Sequence, residues 1–185
     1  LTHLHFDHCG GAVTWDSSKE AYDVLFKNAN YWSNEKHWDW ATNPNPREKA
    51  SFLDENLFPM KESGQLKFIN NMSKGFNYCE ELDLEIICVD GHTEKQMIPK
   101  IKHKGREIVY AADLIPTAGH IPVPYIMGYD VRPLITMVEK TDFLNEAYEN
   151  EYLLFMEHDP HHQLVSLKKT EKGIRFDKSF SINEL

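Results

Sequence analysis

Apolar residues alternate with polar ones over positions 82–85 and then run unbroken to position 89, the pattern of a strand that enters a covered sheet. Shorter apolar stretches predict further strands at 29–32, 66–69 and 152–156. Two pairs predict hairpins: 97–101 with 107–112, joined at Lys104-Gly105, and 164–167 with 174–176, joined at Lys172-Gly173. Elsewhere the period changes. Leu134, Met137, Val138, Thr141, Leu144 and Tyr148 trace one helical face, with Pro133 suited to the first turn. Ser17-Ser18-Lys19-Glu20 has capping-box spacing, and Ala21, Val24 and Leu25 follow at helical intervals, which predicts a short helix. A second helix is expected over 34–40, ended by Asn43-Pro44-Asn45-Pro46, and a third over 47–57, closed by Pro59. Pro116, Pro122, Pro124 and Pro133 exclude regular structure between Asp113 and Arg132, so that segment is expected to be an ordered loop. Helices and strands in mixed order predict a layered α/β arrangement.

At 185 residues the chain is one domain by length, with room for a sizeable core. Its formal net charge of −9 argues against nucleic acid or an anionic membrane as partner. No apolar run approaches the roughly 18 residues of a membrane span, and no signal-peptide pattern is visible. Cys9, Cys79 and Cys88 are odd in number and lack C-x-x-C spacing, which fits a reducing compartment and points to the cytoplasm. Any segment before Leu1, targeting or otherwise, lies outside the sequence.

The densest chemistry is Leu1-Thr2-His3-Leu4-His5-Phe6-Asp7-His8-Cys9-Gly10-Gly11. On an extended strand His3 and His5 point to one face, Asp7 keeps the phase and His8 breaks it, so the strand is expected to end near Phe6. Imidazole and carboxylate are ligands suited to zinc and related divalent ions, and four such groups in six positions can hold two ions. Cys9 reads as a small buried filler beside the site. Tyr31, Trp32, Trp38, Trp40, Phe52 and Phe58 form an aromatic-rich region, readable as helix packing or as a substrate wall.

His3-Leu4-His5-Phe6-Asp7-His8 resembles the H-x-H-x-D-H signature of the metallo-β-lactamase superfamily. That resemblance implies three further ligands at strand ends, and His92, Asp113 and His158 stand in the expected order. It implies an αββα sandwich, with the two ions at one edge. His3, His5 and His92 would hold one ion and Asp7, His8 and His158 the other, with Asp113 bridging. Two divalent ions, zinc first, would generate a bridging hydroxide, and Asp7 would pass a proton to the leaving group. His161 is the alternative to His158, whose strand-end position favours it. His37 and His103 are expected at the surface. His120, Tyr125 and Trp38 are candidate pocket residues, with loop packing an equal reading for His120.

Two departures weaken any transfer of substrate. Gly91-His92-Thr93-Glu94-Lys95-Gln96 replaces the common G-H-T-P-G-H, and Leu114-Ile115-Pro116 stands where lactonases often place a tyrosine, leaving Tyr125 or Tyr129 as substitutes. The run Asp113-Leu114-Ile115-Pro116-Thr117 with Glu157-His158-Asp159-Pro160 is similar to the quorum-quenching lactonase and organophosphate hydrolase group. The expected function is hydrolysis of a small ester or lactone. Phosphotriester or β-lactam hydrolysis is the alternative, and an inactive metal-binding module or a flavodiiron-type oxidoreductase are readings of other classes. The superfamily fold places several strands before the motif strand, so the sequence is expected to be a fragment. Uncovered strand edges make a second copy of the chain a candidate partner.

Overall fold

The computed structural model describes all residues from Leu1 to Leu185. The chain divides into two compact units, Leu1–Asn71 with Glu94–Met97, and Met72–Thr93 with Ile98–Leu185.

The first unit opens with an extended segment that leads into a single helical turn, α1 (Phe6–Cys9). His5 is extended (φ −63°, ψ 150°) at its entry. The expected strand through His3 and His5 therefore forms no ladder. Its main-chain bonds to neighbouring strands include the Met97 N–H to the Thr2 carbonyl and the Leu1 amine to the Trp32 carbonyl. Next comes a hairpin, β1 (Val13–Asp16) and β2 (Ala21–Val24), where the sequence predicts a helix. Cross-strand pairing of Val13 with Val24 and of Trp15 with Tyr22 overrides the helical spacing. Asp16 Oδ1 accepts from the Ser18 N–H and turns the chain where a capping box was expected.

β3 (Tyr31–Asn34) runs parallel to β4 (Leu66–Ile69). Between them lie α2 (Glu35–Thr42), capped by Asn34 Oδ1 on the His37 N–H, and α3 (Asp54–Glu62). The predicted third helix is broken at Phe52 and Leu53, and Pro59 lies inside α3 rather than ending it. Its missing N–H leaves only the carbonyl of exposed Glu55 without an intrahelical partner, so water can satisfy it. Leu4, Cys9, Val24, Ala41, Leu57 and Met60 form the core of this unit.

The second unit is built on a mixed seven-stranded sheet, in the order β11-β10-β9-β8-β7-β6-β5. These strands are β5 (Asn77–Cys79), β6 (Leu84–Val89), β7 (Gln96–His103), β8 (Arg106–Tyr110), β9 (Leu153–Phe155), β10 (Leu164–Thr170) and β11 (Gly173–Phe180). Both predicted hairpins form. At the β7–β8 turn Lys104 and Gly105 take φ of 50° and 78°, a left-handed pair that glycine makes accessible. β8 and β9 are parallel, joined by the proline-rich loop and α4 (Pro133–Glu149), with Pro133 in the first turn. Ile98, Val109, Leu144, Leu154 and Val165 lie at the centre of the core between sheet and helix. The α/β class is as expected. Of the two large sheets of a sandwich, these residues form one, beside two two-stranded sheets. No helix is long and apolar enough to cross a membrane.

Candidate metal centre

In the first unit the motif side chains converge on one another. The ring centroid of His3 lies 4.6 Å from that of His5 and 3.8 Å from that of His8. Asp7, largely exposed, places Oδ2 3.5 Å from His8 Nε2. His3 and His5 are buried, which a polar ring tolerates only with partners. Glu48 supplies one, with Oε1 3.3 Å from His5 Nε2. The Glu48 carboxylate is itself buried and accepts from Trp40 Nε1 at 2.7 Å and Asn45 Nδ2 at 2.6 Å. The Glu48 contact thereby orients the His5 ring.

His37, expected at the surface, is fully buried. Its Nε2 accepts the Leu4 N–H at 2.8 Å, and its Nδ1 hydrogen-bonds the Glu94 carbonyl, so the ring carries its proton on Nδ1. Leu4 lies between His3 and His5, and His37 thereby fixes the segment that carries both. Cys9 donates Sγ–H to the Leu4 carbonyl at 3.3 Å. Burial, with Asp7 adding to it, pushes its thiol up to about 12, so it stays protonated and fills space as expected.

The second unit assembles its ligands by strand arithmetic. Tyr110 of β8 and Phe155 of β9 are register partners. Asp113 and His158 each follow their member of that pair by three residues. Adjacent parallel strands end side by side about 4.8 Å apart, so equal offsets bring the two side chains together. His158 Nε2 lies 3.1 Å from Asp113 Oδ1, and His92 Nε2 lies 3.0 Å from Asp113 Oδ2. Ala112, just before Asp113, holds a left-handed φ of 42° with its side chain buried, which costs an L-residue about 1 kcal/mol.

Asp130 Oδ1, at 3.0 Å from His92 Nδ1, fixes which nitrogen of that ring faces Asp113. Burial opposes a charge on His92, but Asp113 and Asp130 outweigh it and raise its pKa to about 9. The turn bearing His92 is clamped by the start of α4. Glu139 accepts from the Asp90 and Gly91 N–H groups, and the Arg132 and Val131 N–H groups reach the Gly91 and His92 carbonyls. Position 91 admits only glycine here, because a Cβ would stand 2.2 Å from Thr136 Oγ1 and 2.5 Å from its backbone nitrogen.

The remaining candidates are placed as follows. His120 is half-buried, with Nδ1 2.8 Å from Thr117 Oγ1 and its carbonyl accepting from Lys140 Nζ. The same buried lysine reaches the Pro122 and Tyr125 carbonyls. Burial lowers Lys140 to about 8, with Asp130 partly opposing. The Tyr125 side chain is exposed, and Trp38 packs edge-on to Phe58 and against the Lys61 ammonium. His161 and His103 are exposed.

Three acidic side chains that the sequence reading passed over stand beside the ligand candidates: Glu48, Asp130 and Glu157. Ligand atoms of Asp113, Glu157 and His158 lie within 4.8 Å of one another. Glu157, adjacent to His158, carried a sequence signal; Glu48 and Asp130 carried none.

No protein-family signature and no curated protein sequence matches the chain. Solved structures do. A probable metal-dependent hydrolase from Staphylococcus aureus matches with a TM-score of 0.76 at 23% identity, over 97% of this chain and 60% of its own. AidC, a dizinc quorum-quenching lactonase, gives 0.79 at 22%, over 98% and 64%. AbOPH, a hydrolase in the beta lactamase superfamily, gives 0.75 at 18%, over 98% and 64%. The chain spans 60–64% of the length of these three proteins. At such identities the likeness establishes the fold.

Proposed function

From a fold shared with metal-dependent hydrolases of the metallo-β-lactamase superfamily, we propose that this chain carries the ligand set of a dinuclear hydrolase acting on a small ester or lactone. The observation that carries the reading is Asp113, whose two oxygens each face a different histidine at 3.0 and 3.1 Å. A carboxylate disposed in that way suits a bridge between two cations, whose mutual repulsion it offsets. His3, His5 and His92 would hold one ion and Asp7, His8 and His158 the other, with Asp113 available to both. Imidazole and carboxylate donors suit zinc, and AidC is a dizinc enzyme.

Bound ions would supply Lewis acidity toward a carbonyl oxygen and bring the proton loss of water near neutral pH. The chain's own residues do the rest. Asp130 and Glu48 hold the rings of His92 and His5 in the ligating orientation. Asp7, the exposed carboxylate of the set, would carry a proton to a leaving group. Lys140 holds the loop bearing His120 and Tyr125, which contributes to the substrate wall.

The test is metal content of the full protein by emission spectrometry, paired with a hydrolysis screen over lactones, aryl esters, phosphotriesters and β-lactams. Near two ions per chain with lactone or ester turnover is the expected result. Metal-free protein inactive on all four classes after zinc loading overturns the proposal.

A further inference from the structure

We propose that Glu157 is a further metal ligand, and that Asp113, Glu157 and His158 give one of the two ion positions an oxygen-rich set that accepts manganese. The proposal rests on the dinuclear reading above and deepens it.

The three ligand atoms lie within 4.8 Å of one another. Two carboxylate oxygens at that separation repel each other, and a cation among them removes the cost. The turn carrying Glu157 is fixed on both sides by main-chain bonds. The Met156 N–H reaches the Gln163 carbonyl at 2.9 Å, and the His158 N–H reaches the Pro116 carbonyl at 3.1 Å. Asp159 tightens the same turn, with Oδ1 accepting from the His161 and His162 N–H groups and Oδ2 from the Ala118 N–H. The Glu157 side chain has its own orienting partner, the Tyr110 hydroxyl. Tyr110 stacks on Phe155, with ring centroids 5.3 Å apart. A carboxylate held by a hydroxyl donor and aimed beside a second carboxylate and an imidazole has the surroundings of a ligating group.

The donor chemistry sets the preference. Imidazoles suit zinc, copper, iron and nickel, whereas carboxylates suit manganese. His3 and His5 make a nitrogen-rich contribution. With Glu157 added to the Asp7, His8, His158 and Asp113 assigned above, the other position has three carboxylates and two imidazoles. The two ion positions therefore differ in which metals they hold well, although zinc keeps the higher absolute affinity at both.

The experiment uses the full protein stripped by chelator. Manganese alone is titrated and free ion is followed by electron paramagnetic resonance; zinc affinity is read by chelator competition. Wild type is expected to take up manganese at one position per chain. Glu157→Gln should weaken manganese binding at least about tenfold and zinc binding less. Tyr110→Phe should weaken manganese by a smaller factor, because the ligand remains. Unchanged manganese affinity in a folded Glu157→Gln protein overturns the assignment. Where that variant fails to fold, Glu157→Asp, which keeps the charge and withdraws the oxygen by one methylene, must show the same loss. Wild type that binds two ions with Glu157→Gln unaltered sinks this inference alone; wild type that binds none sinks the dinuclear reading beneath it.

Discussion

The Leu4 N–H of the first unit is accepted by an imidazole, His37 Nε2 at 2.8 Å, whereas the His158 N–H of the second is accepted by a main-chain carbonyl, that of Pro116 at 3.1 Å. The contrast is one of degree. His37, Glu48 and the Cys9 thiol brace the His3–His8 segment, beside the Met97 N–H to Thr2 carbonyl bond. The turns bearing His92 and His158 add main-chain bonds from Val131, Arg132 and Pro116 to the side-chain contacts of Glu139 and Asp159, and a parallel strand pair sets the spacing of Asp113 and His158. A segment held by side chains can be released by one substitution. One held by backbone survives most of them, because every residue but proline brings the same N–H and C=O.

The largest expected effect falls where the second unit does rely on a side chain. Asp113→Asn should lose one ion and lower kcat on the order of 10³-fold, as the paired charges are worth several kcal/mol in the transition state. Metal content and steady-state kinetics check this; a variant that keeps two ions and full turnover breaks the bridging assignment. Next comes the contrast itself. His37→Ala leaves the buried Leu4 N–H without its acceptor and should destabilise the protein by about 1–3 kcal/mol, with exchange protection lost across residues 3–9. Arg132→Ala removes a guanidinium bond to the Asp90 carbonyl but leaves the Arg132 N–H to Gly91 bond in place, and should cost under about 1 kcal/mol. Denaturant melts that rank the two variants the other way would show that the backbone clamp is not what holds the His92 turn.

Asp130→Asn should weaken metal binding about 10–100-fold, read by chelator competition, with little change in the melting of metal-free protein. The smallest effect concerns pH. Lys140 has a folded pKa of about 8, below its ordinary value of 10.5, so between those values the unfolded chain binds more protons. Its contribution is therefore least favourable below about pH 8 and improves as pH rises toward 10.5, by about 1 kcal/mol per unit. The stability difference between wild type and Lys140→Met should follow that slope; a flat difference from pH 8 to 10 would show that the ammonium is not penalised by its burial.

Much of the second unit was legible because its signals are local. Lys104-Gly105 marks a hairpin by backbone permissiveness alone, and Pro133 marks the start of α4. The face of α4 read as apolar is the wrong one: Leu134, Val138, Thr141 and Tyr148 are exposed, and the helix buries Thr136, Lys140, Phe143 and Ala147 alongside Leu144. The first unit was misread where partners are distant. The helical spacing of Ala21, Val24 and Leu25 lost to pairing across the β1–β2 hairpin, and the pattern of α2, though it predicted a helix, gave no hint that His37 serves Leu4, 33 positions away. The same holds within the site. His3, His5, Asp7 and His8 declare themselves by density. Asp130 and Glu48 act on histidines 38 and 43 positions distant, and nothing in their own surroundings marks them.

The equal offsets of Asp113 and His158 from the Tyr110–Phe155 pair have a consequence for how this chain can diverge. Ala111 and Met156, both buried, can be exchanged for other apolar residues of like size without moving the offsets. A single-residue deletion between Tyr110 and Asp113, or between Phe155 and His158, would put the two side chains out of step and point one away from the other. The number of residues in those two tripeptide steps is thus constrained alongside the identities of Ala112 and Glu157, and the loop after Leu114 is tied to the same pair through the Pro116 carbonyl on the His158 N–H.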